Sequence, residues 1–357
     1  MTETEGKKNL DLKQMLEQAN KAGASDVHLR PGLPAIFRVN GALAPLDKQR
    51  LTPDDIDRIV NGLFSDRKQK EKFERKSEID LAFGIPMLGR FRVNIFMQRG
   101  TKAIVLRRIP HEILTLEELH LPPIIGKIAQ EHHGLILVTG TTGSGKSSTL
   151  AAMVDRININ RSCHIVTIED PIEMLHRSKK SIVDQREVGI DTDSFGEALR
   201  SALRQDPNVI LVGEMRDLVT IETALRAADT GHLVLSTLHT LDATETISRI
   251  ISEFPPNQQK QIRLLLSTII KAVISQRLVP TMDGKGRVPA TEILITTERV
   301  REYIRDEAKT NNLRDVIAEG KSHYNMQTFD QALMTLYKEK IISLEVALKE
   351  CTNADNF

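Results

Sequence analysis

The sequence predicts an α/β protein that is built from two domains. In the second half of the chain, four almost continuously apolar segments alternate with helical stretches, a pattern typical of a parallel sheet buried on both faces. These segments are residues 134–140, 162–169, 208–214 and 232–239. In the first third, shorter segments alternate polar with apolar residues, which favours strands with one exposed face. With 357 residues, the chain is long enough to form both domains.

The first third is predicted to be a small α+β domain, which we assign to residues 1–112. One helix begins at Thr52, an N-cap residue that is followed by Pro53 at the first helical position. On a later strand, Arg92 alternates with the apolar Val93, as expected when only one strand face is buried. The predicted helices are residues 10–20 and 52–64, and the predicted strands are residues 26–30, 35–41, 79–85, 89–98 and 102–109.

A linker is predicted at residues 113–133, where Pro122 and Pro123 interrupt regular structure. The parallel sheet and its helices are assigned to a core domain at residues 134–280. Residues 257–349 have mostly helical spacing, apart from 281–289 and 320–327. We therefore predict a mostly helical C-terminal region at residues 281–357.

Composition excludes several classes of function. The chain carries 49 Lys+Arg and 48 Asp+Glu, for a formal charge of +1, which gives no support to a nucleic-acid-binding protein. The two cysteines, Cys163 and Cys351, fit no metal-ligand spacing and are compatible with a reducing compartment. We find no secretion signal in the first residues, and no apolar run approaches the roughly 18–20 residues of a membrane span. We therefore expect a cytoplasmic protein that does not insert directly into a membrane.

A glycine-rich motif gives the strongest functional signal. Residues 140–147 match G-x-x-x-x-G-K-[ST] and lie between a predicted strand and a predicted helix, which is the context of a P-loop. In such a loop, backbone N–H groups and the helix N-terminus bind phosphates. Lys146 is then expected to reach the β- and γ-phosphates of ATP, and Ser147 to ligate Mg²⁺. The predicted ATP-binding residues are Gly140, Thr141, Thr142, Gly143, Ser144, Gly145, Lys146, Ser147 and Ser148.

Acidic residues follow two of the predicted strands, where hydrolysis would need them. Glu169 ends the second strand, Glu173 follows shortly after it, and Glu214 ends the third. Hydrolysis requires a base that orients water and a carboxylate near the metal ion. We therefore predict that Glu169, Glu173 and Glu214 are catalytic, and that Glu214 also holds Mg²⁺ through water.

Histidines and arginines complete the set of candidates. His232 and His239 flank the fourth strand; His239 is predicted to sense the γ-phosphate, and His232 to contribute to nucleotide binding. Most surface arginines are simply solvated. However, the arginines on the N-terminal strands, including Arg92 and Arg107, can also neutralise phosphate charge across a domain or subunit interface.

The motifs resemble a known family when they are taken together. The segments GTTGSGKSS, VTIEDPIE, QREVGIDTDSF, LRQDPNVILVGEMRD and TGHLVLSTLHT occur in the order found in the secretion-superfamily ATPases of type II secretion and type IV pili. They are most similar to the twitching-motility retraction motors. GASDVHLRPGLPAIFRVNG resembles the start of the family's PAS-like N-terminal domain, and NMQTFDQALMTLYKEKIISLEVAL resembles its helical tail. The resemblance covers residues 10–355 and implies a RecA-like P-loop ATPase domain after the PAS-like domain.

The resemblance also implies roles for particular residues. It makes Lys146 and Ser147 Walker A residues and Glu214 the Walker B acid. It assigns the other candidates to an aspartate box, a histidine box and a pair of arginines that reach bound nucleotide from the N-terminal domain. The aspartate box contains Glu169, Asp170 and Glu173. The histidine box contains His232 and His239, and the two arginines are Arg92 and Arg107.

By the same resemblance, the chain is expected to form a homohexamer that hydrolyses ATP to drive pilus retraction and twitching motility. Its expected partners are an inner-membrane pilus platform protein, which would recruit it to the membrane, and a paralogous retraction motor. Two cysteines cannot build the four-cysteine zinc site of assembly motors, which favours retraction.

Several sequence differences leave alternatives open. Thr141 replaces the family's usual proline, Leu241 replaces an asparagine after the histidine box, and residues 298–305 keep only part of a C-terminal motif of retraction motors. An accessory retraction motor is therefore one alternative, and an assembly or type II secretion ATPase is another. A nucleotide-dependent regulatory module and a DNA translocase are less favoured, because the catalytic acids are intact and the charge is balanced.

Overall fold

Two β-sheets form the framework of the chain, one antiparallel and one mainly parallel. The structure is a computed structural model that describes residues 11–39, 41–86, 88–109 and 112–353. The chain divides into two units, Met1–His111 and Glu112–Phe357. The expectations for residues 1–10, and for the parts of the domain assignments at residues 110–111 and 354–357, lie outside the described residues. The predicted α/β class, with an N-terminal α+β unit and a P-loop unit, is confirmed.

The N-terminal unit contains a six-stranded antiparallel sheet in the order β3-β2-β1-β6-β5-β4. Its strands are β1 Asp26–Leu29, β2 Ile36–Val39, β3 Ala42–Pro45, β4 Glu78–Ile85, β5 Gly89–Gln98 and β6 Thr101–Ile109. Its helices are α1 Leu12–Lys21, α2 Pro53–Leu63 and α3 Arg67–Lys76. The sequence reasoning missed β3 and α3, which are short or almost entirely polar.

Helices cover one face of this antiparallel sheet. Thr52 and Asp55 form a capping box that begins α2, and Ile56 and Val60 of that helix are buried in one cluster with Val93 of β5. Burial of such side chains stabilises the fold by roughly 1.5–3 kcal/mol each. Because successive strand residues point to opposite faces, Arg92 lies on the face away from the helices.

The second unit contains a seven-stranded sheet in the order β13-β12-β7-β11-β10-β8-β9. Its strands are β7 Gly134–Thr139, β8 His164–Glu169, β9 Ile182–Glu187, β10 Val209–Val212, β11 Leu233–Leu238, β12 Ile270–Pro280 and β13 Arg287–Ile295. All neighbouring strands are parallel except β12 and β13. The four strands predicted from apolar runs are confirmed as β7, β8, β10 and β11.

Helices cover both faces of the second sheet, and further helices come after its last strand in the chain. They are α4 Ile124–Ile128, α5 Lys146–Asn160, α6 Phe195–Ala202, α7 Leu218–Asp229, α8 Ala243–Ser252, α9 Pro256–Ile269, α10 Glu298–Arg305, α11 Glu307–Thr310, α12 Leu313–Glu319, α13 Lys321–Tyr324, α14 Phe329–Lys338 and α15 Leu344–Glu350. The first two pack with Ile136 and Val138 on one face, whereas α6 to α9 pack with Leu135 and Leu137 on the other. No helix among the described residues is both long and apolar enough to cross a bilayer.

The helical prediction for residues 257–280 was wrong in its second half. Helix α9 ends at Ile269, and Ile270 begins β12 without an intervening glycine or proline. A buried strand and a buried helix both appear as continuous apolar sequence, so periodicity cannot separate them. The C-terminal region is also not helical throughout, because β13 occupies most of its first 15 residues, and the helical part starts at Glu298.

The last helices pack onto β12 and β13, two strands that the sequence did not predict. Phe329 and Leu333 of α14 share a small core with Val279 of β12 and Val288 of β13. The Arg277 guanidinium lies 4.0 Å from the centre of the Phe329 ring, and its Nη1 donates to the backbone carbonyl of Glu350 at 3.0 Å. This small core joins the end of the chain to the sheet.

Candidate functional site

The predicted P-loop connects β7 to α5. Gly140 has φ of 139°, and a Cβ atom there would lie 2.3 Å from the Gln276 carbonyl oxygen, so only glycine fits. Helix α5 begins at Lys146, and its N-cap Gly145 supplies no capping bond among the described side chains. The first N–H groups of α5 therefore remain available to an anion, as in other phosphate-binding helix N-termini.

Two side chains of the loop fit a phosphate ligand. Ser144 is 3% exposed, and its buried Oγ atom has no hydrogen-bond partner among the described residues. Lys146 is also buried, and its Nζ donates to the carbonyl oxygens of Gly140 at 2.8 Å and Thr141 at 2.9 Å. Burial lowers the pKa of Lys146, and the charges of Glu214 and Glu173 oppose that change. The loop thus concentrates donors and positive charge, which suits the phosphates of ATP.

Glu214 follows β10 after one intervening residue, Gly213, and is 8% exposed. One carboxylate oxygen lies 2.5 Å from Arg216 Nε, and the other lies 3.5 Å from His239 Nε2. Because its charge also acts on Lys146, Glu214 lies on the P-loop side of the sheet. The structure therefore brings Glu214, His239 and Lys146 to the same edge.

Glu169 ends β8 at the same edge of the parallel sheet. Its Oε1 accepts hydrogen bonds from Thr167 Oγ1 at 2.6 Å and from Gln185 Nε2 at 3.0 Å. Burial raises the pKa of Glu169, although these hydrogen bonds oppose the rise. Glu173, by contrast, is exposed on the loop that follows. The two acids thus have different environments, the first fixed and the second open to solvent.

His232 does not join the others. It precedes β11, and its carbonyl oxygen accepts from the N–H of Gly134, the first residue of β7. The P-loop follows the opposite end of β7, six residues further on, which is a distance of roughly 20 Å at about 3.3 Å per residue. Its Nδ1 lies 3.0 Å from the Ala227 carbonyl oxygen, which is a structural contact. The structure therefore does not bring His232 to the P-loop of the same chain, and its contribution to nucleotide binding stays a prediction.

The two candidate arginines are cross-strand neighbours in the N-terminal unit. Arg92 of β5 pairs in register with Arg107 of β6, which in turn pairs with Asp26 of β1. The Nε atom of Arg107 donates to Oδ1 of the buried Asp26 at 2.8 Å. Burial raises the pKa of Asp26, but the hydrogen bonds and charges of Arg107, Ser25 and Arg38 outweigh it and lower the pKa overall. Arg107 is therefore fixed at Nε, while its side chain remains 68% exposed.

No group of three or more His, Cys, Asp or Glu residues that could hold a metal ion occurs within the described parts of the chain. A protein-only metal cage is therefore not present there. Mg²⁺ usually keeps several waters and binds through one or two protein oxygens and the phosphates of its nucleotide. Ser147, which follows the P-loop lysine, and the Glu214 carboxylate fit that mode of binding.

The sequence reasoning missed a cleft wall beside the P-loop. A cavity of about 370 Å³ borders the loop on the side of the unpredicted strand β12. It is lined by residues 140–144 and by Leu241, Gln276, Arg277, Leu278, Arg287 and Glu350. Gln276 Oε1 accepts from Thr149 Oγ1 of α5 at 2.8 Å and so links the strand to the P-loop helix. A single glutamine in an apolar segment gives no motif by which it could have been found.

Comparison with known proteins gives a consistent result. The profile of the family described as type II/IV secretion system protein matches residues 2–349. The type IV pilus retraction ATPase PilT of Pseudomonas aeruginosa is 45% identical, and the match covers 98% of this chain and 100% of that protein. The type IV pilus ATPase PilU of the same organism is 41% identical, over 97% of this chain and 90% of that protein.

A solved structure has the same fold. The crystal structure of the pilus retraction motor PilT with bound ADP has a TM-score of 0.89 and 48% identity to this chain. The match covers 98% of this chain and 99% of that one. A likeness of this extent includes both sheets, the P-loop and the C-terminal helices.

Proposed function

Because the chain belongs to the family of type II/IV secretion system proteins, we propose that it is an ATP-hydrolysing motor that drives type IV pilus retraction. The observation that carries this proposal is the 45% identity to a pilus retraction ATPase over essentially the full length of both proteins. The chain's own P-loop, with its buried Lys146 and the nearby Glu214, supplies the chemistry that such a motor needs.

In this proposal, the P-loop holds ATP. The N–H groups at the start of α5 and the Lys146 ammonium bind the β- and γ-phosphates. Ser147 and, through water, Glu214 hold Mg²⁺, which neutralises charge on the phosphates when it is bound. Adenosine triphosphate and magnesium are thus the cofactors that the site fits best.

The acids and His239 act on the attacking water. The Glu214 carboxylate is close to His239, so the two are able to orient a water molecule and to sense the γ-phosphate together. Glu169, whose hydrogen bonds fix its carboxylate, and Glu173 complete the acidic side of the site. Positioning of this kind supplies most of the catalysis in phosphoryl transfer.

We further infer that the protein works as a homohexamer at the cytoplasmic base of a pilus machine, where an inner-membrane platform protein recruits it. Arg92 and Arg107 would then supply positive charge to a bound nucleotide from the N-terminal unit. Their adjacent register on β5 and β6 supports a joint role, because two guanidinium groups can bind one polyphosphate.

An accessory retraction motor is the second candidate. It is supported by the 41% identity to the pilus ATPase PilU and by the partial motif at residues 298–305. Of that motif, Arg301 donates to the Ser267 carbonyl oxygen and Arg305 donates to Ser267 Oγ, so both are engaged by α9. Loss of pilus retraction on deletion of this gene alone favours a principal motor. Loss only in a strain that also lacks a paralogous motor favours an accessory one.

Steady-state ATP hydrolysis by the purified protein, measured together with its mass in solution, tests the proposal. A hexamer with Mg²⁺-dependent turnover is the expected result. A protein that binds ATP without turnover, both alone and with a paralogous motor, would overturn the motor proposal and favour a nucleotide-dependent regulatory module.

The arginine pair leads to a separate prediction. Arg92→Ala is expected to lower kcat at least about tenfold without dissociating the hexamer, because an arginine that stabilises transferred phosphate contributes strongly to the rate. Arg67→Ala is the matched control, since that side chain is 91% exposed and pairs only with Glu71 among the described residues. Unchanged turnover in Arg92→Ala would remove this arginine from the site.

A further inference from the structure

Glu292 is a buried acid that the proposed chemistry does not use. It lies on β13, is 4% exposed, and its Oε1 accepts a hydrogen bond from the N–H of Ala243 at 2.9 Å. Ala243 is the first residue of α8, so the carboxylate faces the positive end of that helix. An isolated carboxylate is costly to bury, and its position at a helix N-terminus calls for an explanation beyond packing.

Helix α8 is continuous with the segment that carries His239, which we call the His239 loop (residues 239–242). Hydrogen bonds connect this loop to the first turn of α8. Leu241 N–H donates to Glu245 Oε2 at 2.7 Å, and the hydroxyl groups of Thr240 and Thr246 lie 2.6 Å apart. A shift of the N-terminus of α8 would therefore move the His239 loop with it.

Glu292 also lies in register, across the strands of the sheet, with the residue that precedes the P-loop. Glu292 pairs in register with Ser275 of β12, and Ser275 pairs with Thr139 of β7, the residue before Gly140. Thr139 Oγ1 donates to Ser275 Oγ at 2.9 Å. Glu292 is thus two strands away from Thr139, at roughly 10 Å, and it is held by the sheet that also holds the P-loop.

We propose that Glu292 is a positioning residue for ATP hydrolysis, which as a carboxylate holds the N-terminus of α8 and thereby keeps His239 beside Glu214. The inference rests on the proposed ATPase function. His239 Nε2 lies 3.5 Å from Glu214 Oε2, a distance that a small movement of the His239 loop would change. Misplacement of a catalytic group by about 1 Å can lower a rate a hundredfold.

The charge of Glu292 changes near neutral pH. Burial raises its pKa to about 7; the nearby Asp242 adds to this rise, whereas the Ala243 hydrogen bond and the charges of Arg314 and Arg277 oppose it. Asp242 is the N-cap residue of α8, Arg314 lies on α12 and Arg277 lies on β12. A carboxylate accepts a hydrogen bond more strongly than a neutral carboxyl does. Positioning should therefore weaken as the pH falls from 8 to 6.

The test measures kcat and KM for ATP between pH 6 and pH 8 in three variants and the unaltered protein. Glu292→Gln keeps an acceptor but is permanently neutral, so its kcat should be lower at pH 8 by about three- to tenfold and nearly independent of pH. Glu292→Leu has no acceptor and should lose at least about tenfold in kcat with little change in KM. Glu345→Gln removes an exposed acid of the same unit and should behave like the unaltered protein.

The outcomes separate the inference from the function on which it rests. Absence of turnover in the unaltered hexamer would count against the ATPase itself. If the unaltered protein turns over ATP and kcat of Glu292→Gln decreases at low pH as much as kcat of the unaltered protein does, the positioning role alone is overturned. Should Glu292→Leu fail to fold, the pH profile of Glu292→Gln decides the question. A flat profile there, matching the low-pH rate of the unaltered protein, would support the inference.

Discussion

Glu214→Gln is expected to lower kcat for ATP hydrolysis at least roughly a hundredfold while leaving ATP affinity almost unchanged. The glutamine retains the shape of the side chain but removes the charge that faces His239 at 3.5 Å and that acts on Lys146. A neutral amide cannot orient the attacking water as a base does. Folding should tolerate the change, because the lost ion partner Arg216 is 69% exposed and such pairs contribute only about 0–1 kcal/mol.

Single-turnover and steady-state rates, together with binding of a fluorescent ATP analogue, check this prediction. Glu222→Gln is the matched control, since Glu222 lies on α7, has a half-buried side chain and pairs with Arg226 at 2.6 Å. Normal turnover in Glu214→Gln would remove this residue from the mechanism.

Lys146→Ala should act on binding rather than on the chemical step alone. The Nζ atom is buried within the loop, where it is the cation placed to meet the β- and γ-phosphates. Its removal leaves backbone N–H groups and the helix end to bind a highly charged ligand. We expect the Kd for ATP to rise at least about tenfold, with turnover falling below detection.

Equilibrium binding of ATP in the presence of Mg²⁺ measures this effect directly. Lys260→Ala on α9 removes an exposed lysine of the same unit and should leave the Kd unaltered. Tight binding by Lys146→Ala would mean that the loop amides alone are sufficient, and would reduce the lysine to a role in the transition state.

Much of this site could be predicted from sequence because its residues occur in local motifs. Gly140 to Ser147 form one continuous segment. Glu169 ends β8, and Glu214 and His239 closely follow the ends of β10 and β11. In a parallel sheet, strand ends meet at one edge, so the chain order alone brings these side chains together. His232, by contrast, precedes β11, so the structure places it at the opposite edge of the sheet from the P-loop.

The remaining part depended on contacts that no local pattern encodes. Strand β12 follows α9 without a helix-ending residue, and its apolar segment is equally compatible with a helix. The roles of Gln276 and Glu292 can be inferred only once the structure shows that β12 and β13 lie on the β7 side of the sheet. Their partners, Thr149 and Ala243, are 127 and 49 residues away in the chain. Single polar residues with distant partners carry no sequence signal.

The small core formed by α14, α15, β12 and β13 has a genetic consequence. A stop codon or frameshift after about residue 325 would delete Phe329, Leu333 and Ile342, and so uncover Val279 and Val288. The strand left bare is the one whose Gln276 contacts the P-loop helix. Late truncations of the gene should therefore behave as null alleles with little soluble product, rather than as motors that lack a dispensable tail.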